Sequence, residues 1–182
     1  MKLSVSNALK LRISSIAGSA VLILGLGIAV PAPADAYAFT GCKWASSSMT
    51  YKNDAVSGYT DPLIDAGYSW ASASDIDGMH PTGGAMRAYV INNGANGYDG
   101  YSKWNCPFGN LWSSEVTLNT YYAQGYTYWQ KRVVWVHELG HGMGLDHSSW
   151  GTVMYTCPRC TYDSFGTYWP TNDDQAGANA LY

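Results

Sequence analysis

Glutamate is almost missing from this chain. Its 182 residues contain only two, Glu115 and Glu138, and only four histidines. Charged residues make up 13% of the sequence, with 10 basic against 13 acidic side chains. No basic run or stripe is present, which argues against nucleic acid as the main partner. After residue 36 no apolar run approaches the roughly 20 residues that a membrane-spanning helix requires. Internal repeats are absent, and so is any composition shift marking a second folded domain. A second C-x-x-C to complement Cys157 and Cys160 is also lacking, which argues against a four-cysteine zinc knuckle.

What the first 36 residues do contain is ordered like a secretory signal. Lys2, Lys10 and Arg12 form a basic start, residues 16–30 an apolar core, and Pro31 and Pro33 end any helix there. Ala34-Asp35-Ala36 fits an A-x-A cleavage site and predicts a mature chain starting at Tyr37, with cleavage after Ala38 as the alternative. An uncleaved anchor is the competing reading, for which the apolar run is short. Residues 37–182 number 146, enough for one domain around one core. That part carries seven basic and twelve acidic residues, a balance of −5. It is rich in Gly, Tyr and Trp, as suits a secreted protein with many turns and aromatic surfaces.

Four cysteines follow the signal: Cys42, Cys106, Cys157 and Cys160. An even count in a secreted chain favours two disulfides, and four cysteines admit three pairings. Cys42 with Cys106 and Cys157 with Cys160 is the preferred one, the second closing a very short loop. A redox pair at C-x-x-C is the alternative, for which a secreted chain has little use.

Patterning predicts a strand over 44–51, with Met49 and Tyr51 on one face, and a helix over 61–73 that opens on Pro62. Residues 75–84 are polar and turn-rich. Strands are predicted over 85–91 and 115–119, a short edge strand over 101–104, and a loop over 94–100. Thr127 and Gln130 form a T-x-x-Q capping box that opens the strongest helix. Gly140, Gly142 and Gly144 weaken that helix and offer places to end it. A last helix over 173–181 is capped by Thr171 or Asn172, with acids in its first turn.

Three of the four histidines and one of the two glutamates fall in HELGHGMGLDH, residues 137–147. On a helix, His137 and His141 lie about 40° and 6 Å apart, so both imidazoles face one way and can hold one metal ion. Glu138 is one step round, where a general base takes a proton from metal-bound water. A continuous helix would carry His147 about 15 Å from His137. His147 can therefore join them only if the chain turns back, and Gly144 tolerates the positive φ that this demands. Three histidines leave the fourth tetrahedral position of zinc open, the pattern of catalytic sites.

This segment fits H-E-x-x-H-x-x-G-x-x-H and resembles the metzincin metallopeptidases. HELGHGMGLDHS, with Ser148 after the third histidine, resembles their matrixin branch. Met154 in Val153-Met154-Tyr155 fits the Met-turn of that group, and TNDDQAGANALY resembles the acid-capped last helix of matrixin catalytic domains. The resemblance implies an α+β, metzincin-like (zincin) domain over 37–182. Its fold would be a twisted, mixed five-stranded sheet with one antiparallel edge strand, two long helices and a C-terminal helix. It further implies a catalytic Zn2+ on His137, His141 and His147, with Glu138 as base and Met154 beneath the site. Asp146, beside His147, is the alternative third ligand. Calcium is often held by matrixins; Asp75, Asp77 and Asp99 lie in loops that could contribute, without EF-hand spacing and without an assigned site.

Several positions depart from the family. No cysteine-switch segment separates signal from domain. No second His/Asp cluster accompanies His80, which reads as a surface or turn histidine. Thr156 stands where many relatives have Pro, and the Cys157–Cys160 loop alters the region that shapes the primed-side pocket, so substrate preference does not carry over.

The reading is a secreted, extracellular, monomeric zinc endopeptidase acting on peptide or protein substrates, without nucleic acid or stable membrane association. An extended substrate would pair with an edge strand. The alternative is a secreted carbohydrate- or surface-binding domain with a non-catalytic zinc site. It is suggested by aromatic clusters at Tyr121-Tyr122, Tyr126-Tyr128-Trp129 and Tyr168-Trp169.

Overall fold

Along residues 48–54 the side chains alternate between core and solvent. Met49 and Tyr51 are buried while Ser48, Thr50 and Lys52 are exposed, the period-2 signature of a strand with one covered face. The computed structural model describes residues 37–182; the signal-peptide reading of residues 1–36 lies outside the described residues. Strands β1 (Ala38–Phe39), β2 (Ser48–Asp54), β3 (Gly78–His80), β4 (Met86–Ile91), β5 (Gly100–Asn105), β6 (Ser113–Asn119) and β7 (Leu145–Asp146) are joined by five helices. These are α1 (Thr60–Ala73), α2 (Thr120–Ala123), α3 (Tyr128–Met143), α4 (Pro158–Phe165) and α5 (Asn172–Leu181).

Five strands form one sheet in the order β3-β2-β4-β6-β5, and β1 pairs with β7 in a separate two-stranded sheet. In the larger sheet β3, β2, β4 and β6 run parallel, while β5 at the edge is antiparallel to β6. Tyr51 lies beside Met86, and Ala88 beside Val116, so one face presents a continuous apolar surface. The chain is an α+β protein with a mixed sheet and one antiparallel edge.

Helices α1 and α3 cover that face. Trp70 of α1 and Trp135 of α3 are fully buried, and each indole N–H finds a backbone carbonyl: Trp70 Nε1 donates to Val136 O at 2.8 Å and Trp135 Nε1 to Tyr59 O at 3.2 Å. Two glycines let helix and sheet approach closely. A Cβ on Gly67 would lie 2.8 Å from Met79 O, and one on Gly142 would lie 2.7 Å from Val116 Cγ1. From Arg132 to Met143 every residue of α3 is buried, which makes it the central helix of the domain.

Several elements differ from the patterning. The first large strand starts at Ser48, not at 44. Trp44 is held instead by its N–H to the Tyr182 hydroxyl and by its indole N–H to Gly142 O, so it leaves the ladder. The turn-rich stretch 75–84 contains β3, too short to show alternation. Residues 101–104 extend to the six-residue β5. The short Cys157–Cys160 loop opens α4, with Cys157 at its N-cap, Pro158 in its first turn and Gly166 closing it in the left-handed region. The last helix takes Thr171 as its cap.

The cysteines pair as Cys42–Cys106 and Cys157–Cys160. The first ties the segment after β1 to the end of β5 across a sequence separation of 64 residues. Closing a loop of that length removes roughly 4 kcal/mol of unfolded-state entropy. The Cys42→Ser/Cys106→Ser protein is expected to lose about 2–4 kcal/mol of stability in denaturant titration; an unchanged midpoint counts against the constraint.

Gly144 ends α3 at φ 116°, and a Cβ there would sit 2.0 Å from Cys42 O. Gly58 has a similar φ of 82° but open space around it. Gly58→Ala is therefore expected to cost about 1 kcal/mol, the backbone penalty alone, whereas Gly144→Ala should cost about 3 kcal/mol or more because a backbone atom stands in the way. Equal losses in urea unfolding would contradict the steric account.

Candidate metal centre and active-site cleft

Helix α3 is started by its own sequence. Thr127 Oγ1 accepts the Gln130 N–H at 3.3 Å, and Gln130 Oε1 accepts the Thr127 N–H at 3.0 Å, a complete capping box. Two and a half turns on, His137 and His141 occupy one side of the helix with ring centroids 4.5 Å apart. The helix then stops. Gly144 takes the left-handed conformation, its N–H donates to His141 O, and Thr40 N–H donates to Gly144 O at 3.0 Å. Residues Leu145 and Asp146 pair antiparallel with Phe39 and Ala38, which carries the chain back along the end of α3. His147 arrives beside the other two rings as a result, with its centroid 4.7 Å from that of His141 and 5.3 Å from that of His137.

The imidazole nitrogens are sorted by the backbone. His137 Nδ1 lies 2.8 Å from Val153 O, and His141 Nδ1 lies 2.8 Å from Leu145 O. A carbonyl oxygen only accepts, so both Nδ1 atoms carry the hydrogen. Burial and the adjacent His141 ring hold His137 well below the usual histidine range, and burial pushes His141 down to about 4. Both rings are therefore neutral at pH 7, and both Nε2 atoms are bare lone pairs. Those two lone pairs face each other at 3.1 Å, and His147 Nε2 lies 3.2 Å from His141 Nε2. With no hydrogen between His137 and His141 the contact is not a hydrogen bond; it is an arrangement that a cation relieves. Zinc–nitrogen bonds of about 2.0–2.1 Å in tetrahedral geometry place nitrogens about 3.3 Å apart, so the donor set fits that ion. The carbonyl partners on Nδ1 are the outer hydrogen bonds that orient such ligands.

Glu138 is turned towards β5. Ser102 Oγ donates to Glu138 Oε2 at 2.8 Å and lies 3.0 Å from the Glu138 carbonyl oxygen. Gly100 lies behind the other carboxylate oxygen: a Cβ there would come within 2.6 Å of Oε1. Burial lifts the Glu138 carboxyl to about 8, with the Ser102 bond pulling down and the Asp99 charge pushing up. One cleft holds Glu138, the three histidines, β5 residues Gly100 to Ser102 and Trp104, and Thr156 to Pro158 beyond the Cys157 turn. Sequence reasoning missed Ser102 and Gly100, because their approach to Glu138 depends on the pairing of β5 with β6. It also missed the carbonyls of Leu145 and Val153.

Met154 is buried against α3, where a Cβ on Gly140 would run into its Sδ, so glycine at this position leaves room for the sulfur. The turn that carries Met154 is held from behind. Asp174, in the first turn of α5, accepts the N–H groups of Val153 and Met154, each at 3.1 Å, and the N–H and hydroxyl of Thr171. Burial lifts its carboxyl above the usual range against the pull of these bonds. The acids in this first turn were legible as helix-capping charges; the reach of Asp174 to residues 153 and 154 was not. Ser148 N–H donates to Met154 O at 2.9 Å and Ser148 Oγ donates to Asp173, which fixes the chain just after His147.

Other residues singled out by sequence lie elsewhere. Asp146 is exposed and accepts the His147 N–H through Oδ1, so it supports the turn, while the His147 ring faces the other two. Among the described residues the histidine trio is the only group of three or more potential ligands that converges, and Asp75, Asp77 and Asp99 form none. Asp77 accepts the Ser47 hydroxyl, and Asp99 accepts the Tyr126 hydroxyl and faces Arg159. His80 is exposed on β3. Trp129, Tyr168 and Trp169 surround the Arg132 guanidinium at 5.0–5.5 Å, so these clustered rings form a cation–π cage.

Comparison with curated protein sequences finds no match. The family model for matrixin, by contrast, matches residues 35–182, from just before the first described residue to the last residue of the sequence. That match covers the sheet, the helix that bears HELGH, the turn at Gly144 and the closing helix together, and the members of this family are zinc-dependent peptidases. With three histidine rings converging at the end of its central helix, the chain belongs to the matrixin family and is a zinc metalloendopeptidase.

Proposed function

We propose that the protein is a secreted endopeptidase in which His137, His141 and His147 hold the zinc, Glu138 is the general base and Met154 is the Met-turn methionine. The single observation that carries this reading is the convergence of the three histidine rings through the reversal at Gly144. Zinc held by His137, His141 and His147 would supply Lewis acidity there, favouring attack of water on the scissile carbonyl.

The chain's own groups do the rest. β5 is the edge of the five-stranded sheet, and its outer side is free to pair with an extended peptide whose scissile bond then lies over the cleft. Glu138 takes the proton of the attacking water as the new C–O bond forms. It passes that proton to the amide nitrogen as the C–N bond breaks, and the amine leaves neutral. Burial raises the proton affinity of the carboxylate, which strengthens it as a base towards the attacking water. Thr156, Cys157 and Pro158 line the same cleft and form part of its wall. Two disulfides support export to an oxidising compartment, as does the signal pattern of residues 1–36.

Glu138→Gln is expected to lower casein cleavage by about 10²–10⁴-fold with zinc still bound. His141→Ala should lose metal and activity together. An active Glu138→Gln protein, or full zinc content in His141→Ala by elemental analysis, defeats the corresponding assignment. Chelation should silence the wild type and added zinc restore it.

Export makes a separate prediction. Protein recovered from the culture medium should begin at Tyr37 by N-terminal sequencing. An exported chain that retains residues 1–36 would refute signal cleavage.

A further inference from the structure

The Glu138 carboxylate is held from one side by two residues of β5. Gly100 and Ser102 are two apart, so they share a face of the strand, and that face meets α3. The bare Cα of Gly100 leaves room for Oε1, where a Cβ would lie 2.6 Å away, and Ser102 Oγ donates to Oε2 at 2.8 Å. The same Oγ is 3.0 Å from the carbonyl oxygen of Glu138. One hydroxyl therefore reaches both ends of the residue, side chain and backbone.

We propose that Ser102 is a positioning residue for Glu138, a hydroxyl that holds Oε2 and keeps the carboxyl in one orientation while its proton arrives and leaves. This rests on Glu138 being the general base. A serine hydroxyl has one hydrogen to give and two lone pairs to receive. While Glu138 is a carboxylate, Ser102 donates its hydrogen to Oε2. When the carboxyl has taken the proton from water on Oε1, Oε2 goes on accepting from Ser102, so the proton stays available to the amide nitrogen. No heavy atom has to move and no buried polar group loses its partner between the two states. Alanine would offer neither bond, and a glutamate side chain with three rotatable bonds would then sample orientations away from the water and the amide nitrogen. Threonine keeps the same hydroxyl on the same carbon.

The test compares Ser102→Ala, Ser102→Thr and Glu138→Gln with wild type in the zinc-loaded mature protein, using steady-state cleavage of a peptide, zinc content and the unfolding midpoint. Removing a hydrogen bond to a charged group should reduce kcat about 10- to 100-fold. KM and zinc content should stay at the wild-type values, while the midpoint falls by no more than the loss of one buried hydrogen bond allows. Ser102→Thr should recover most of kcat, and Ser102→Ala added to Glu138→Gln should cause no further loss. Wild-type kcat in Ser102→Ala with an inactive Glu138→Gln overturns the role of Ser102 alone. Full activity in Glu138→Gln overturns the base assignment and this inference with it. A Ser102→Ala defect that comes with lost zinc, or that threonine fails to rescue, assigns Ser102 a structural role and also overturns the proposal.

Discussion

Two bare imidazole nitrogens facing each other at 3.1 Å are the constraint around which this molecule is arranged. Left alone they repel. They stay in place because each ring is held at its far nitrogen by a carbonyl, Val153 O for His137 and Leu145 O for His141. Both carbonyls come from the chain that follows α3, so the reversal at Gly144 does two things at once. It brings His147 to the other rings, and it brings the backbone that orients them. The reversal depends in turn on the absence of a Cβ, since the Cys42 carbonyl occupies the space where one would stand.

Support for the site spreads outward in layers from that point. Asp174 grips the amides of Val153 and Met154, and through Val153 O it bears on His137. Below, the sulfur of Met154 fills the gap left at Gly140. The closing helix is thus part of the metal centre's scaffold although it contributes no ligand. Removing a polar partner from such a buried set leaves donors unsatisfied, each at a penalty of about 1–3 kcal/mol, so the layers stand or fall together.

Glu138 is governed by a different balance. It stands on α3 between His137 and His141, but its own surroundings come from β5, the antiparallel edge. Burial lifts its carboxyl towards neutrality while Ser102 draws it back. One face of the edge strand thus meets Glu138, and among the described residues its outer side pairs with no other strand.

Much of the centre could be read directly. HELGH determines by helical period alone that His137 and His141 face together, and the glycine at 144 signals a stop by its conformational freedom. The capping boxes at Thr127 and Thr171 are local chemistry and equally legible. The mixed α+β domain with one antiparallel edge was implied by the resemblance that the motif carries, not by composition or periodicity. What only the tertiary structure decided are contacts between segments far apart in the chain: Ser102 and Gly100 against Glu138, Asp174 against the turn at Met154, and Cys42 O against Gly144. The helix that begins at Cys157 and the three-residue β3 belong with these, since neither is long or regular enough to announce itself. Periodicity and capping are written within a few residues of one another, whereas the placement of a hydroxyl from β5 on a carboxylate of α3 exists only once the sheet has formed and the helix has packed against it.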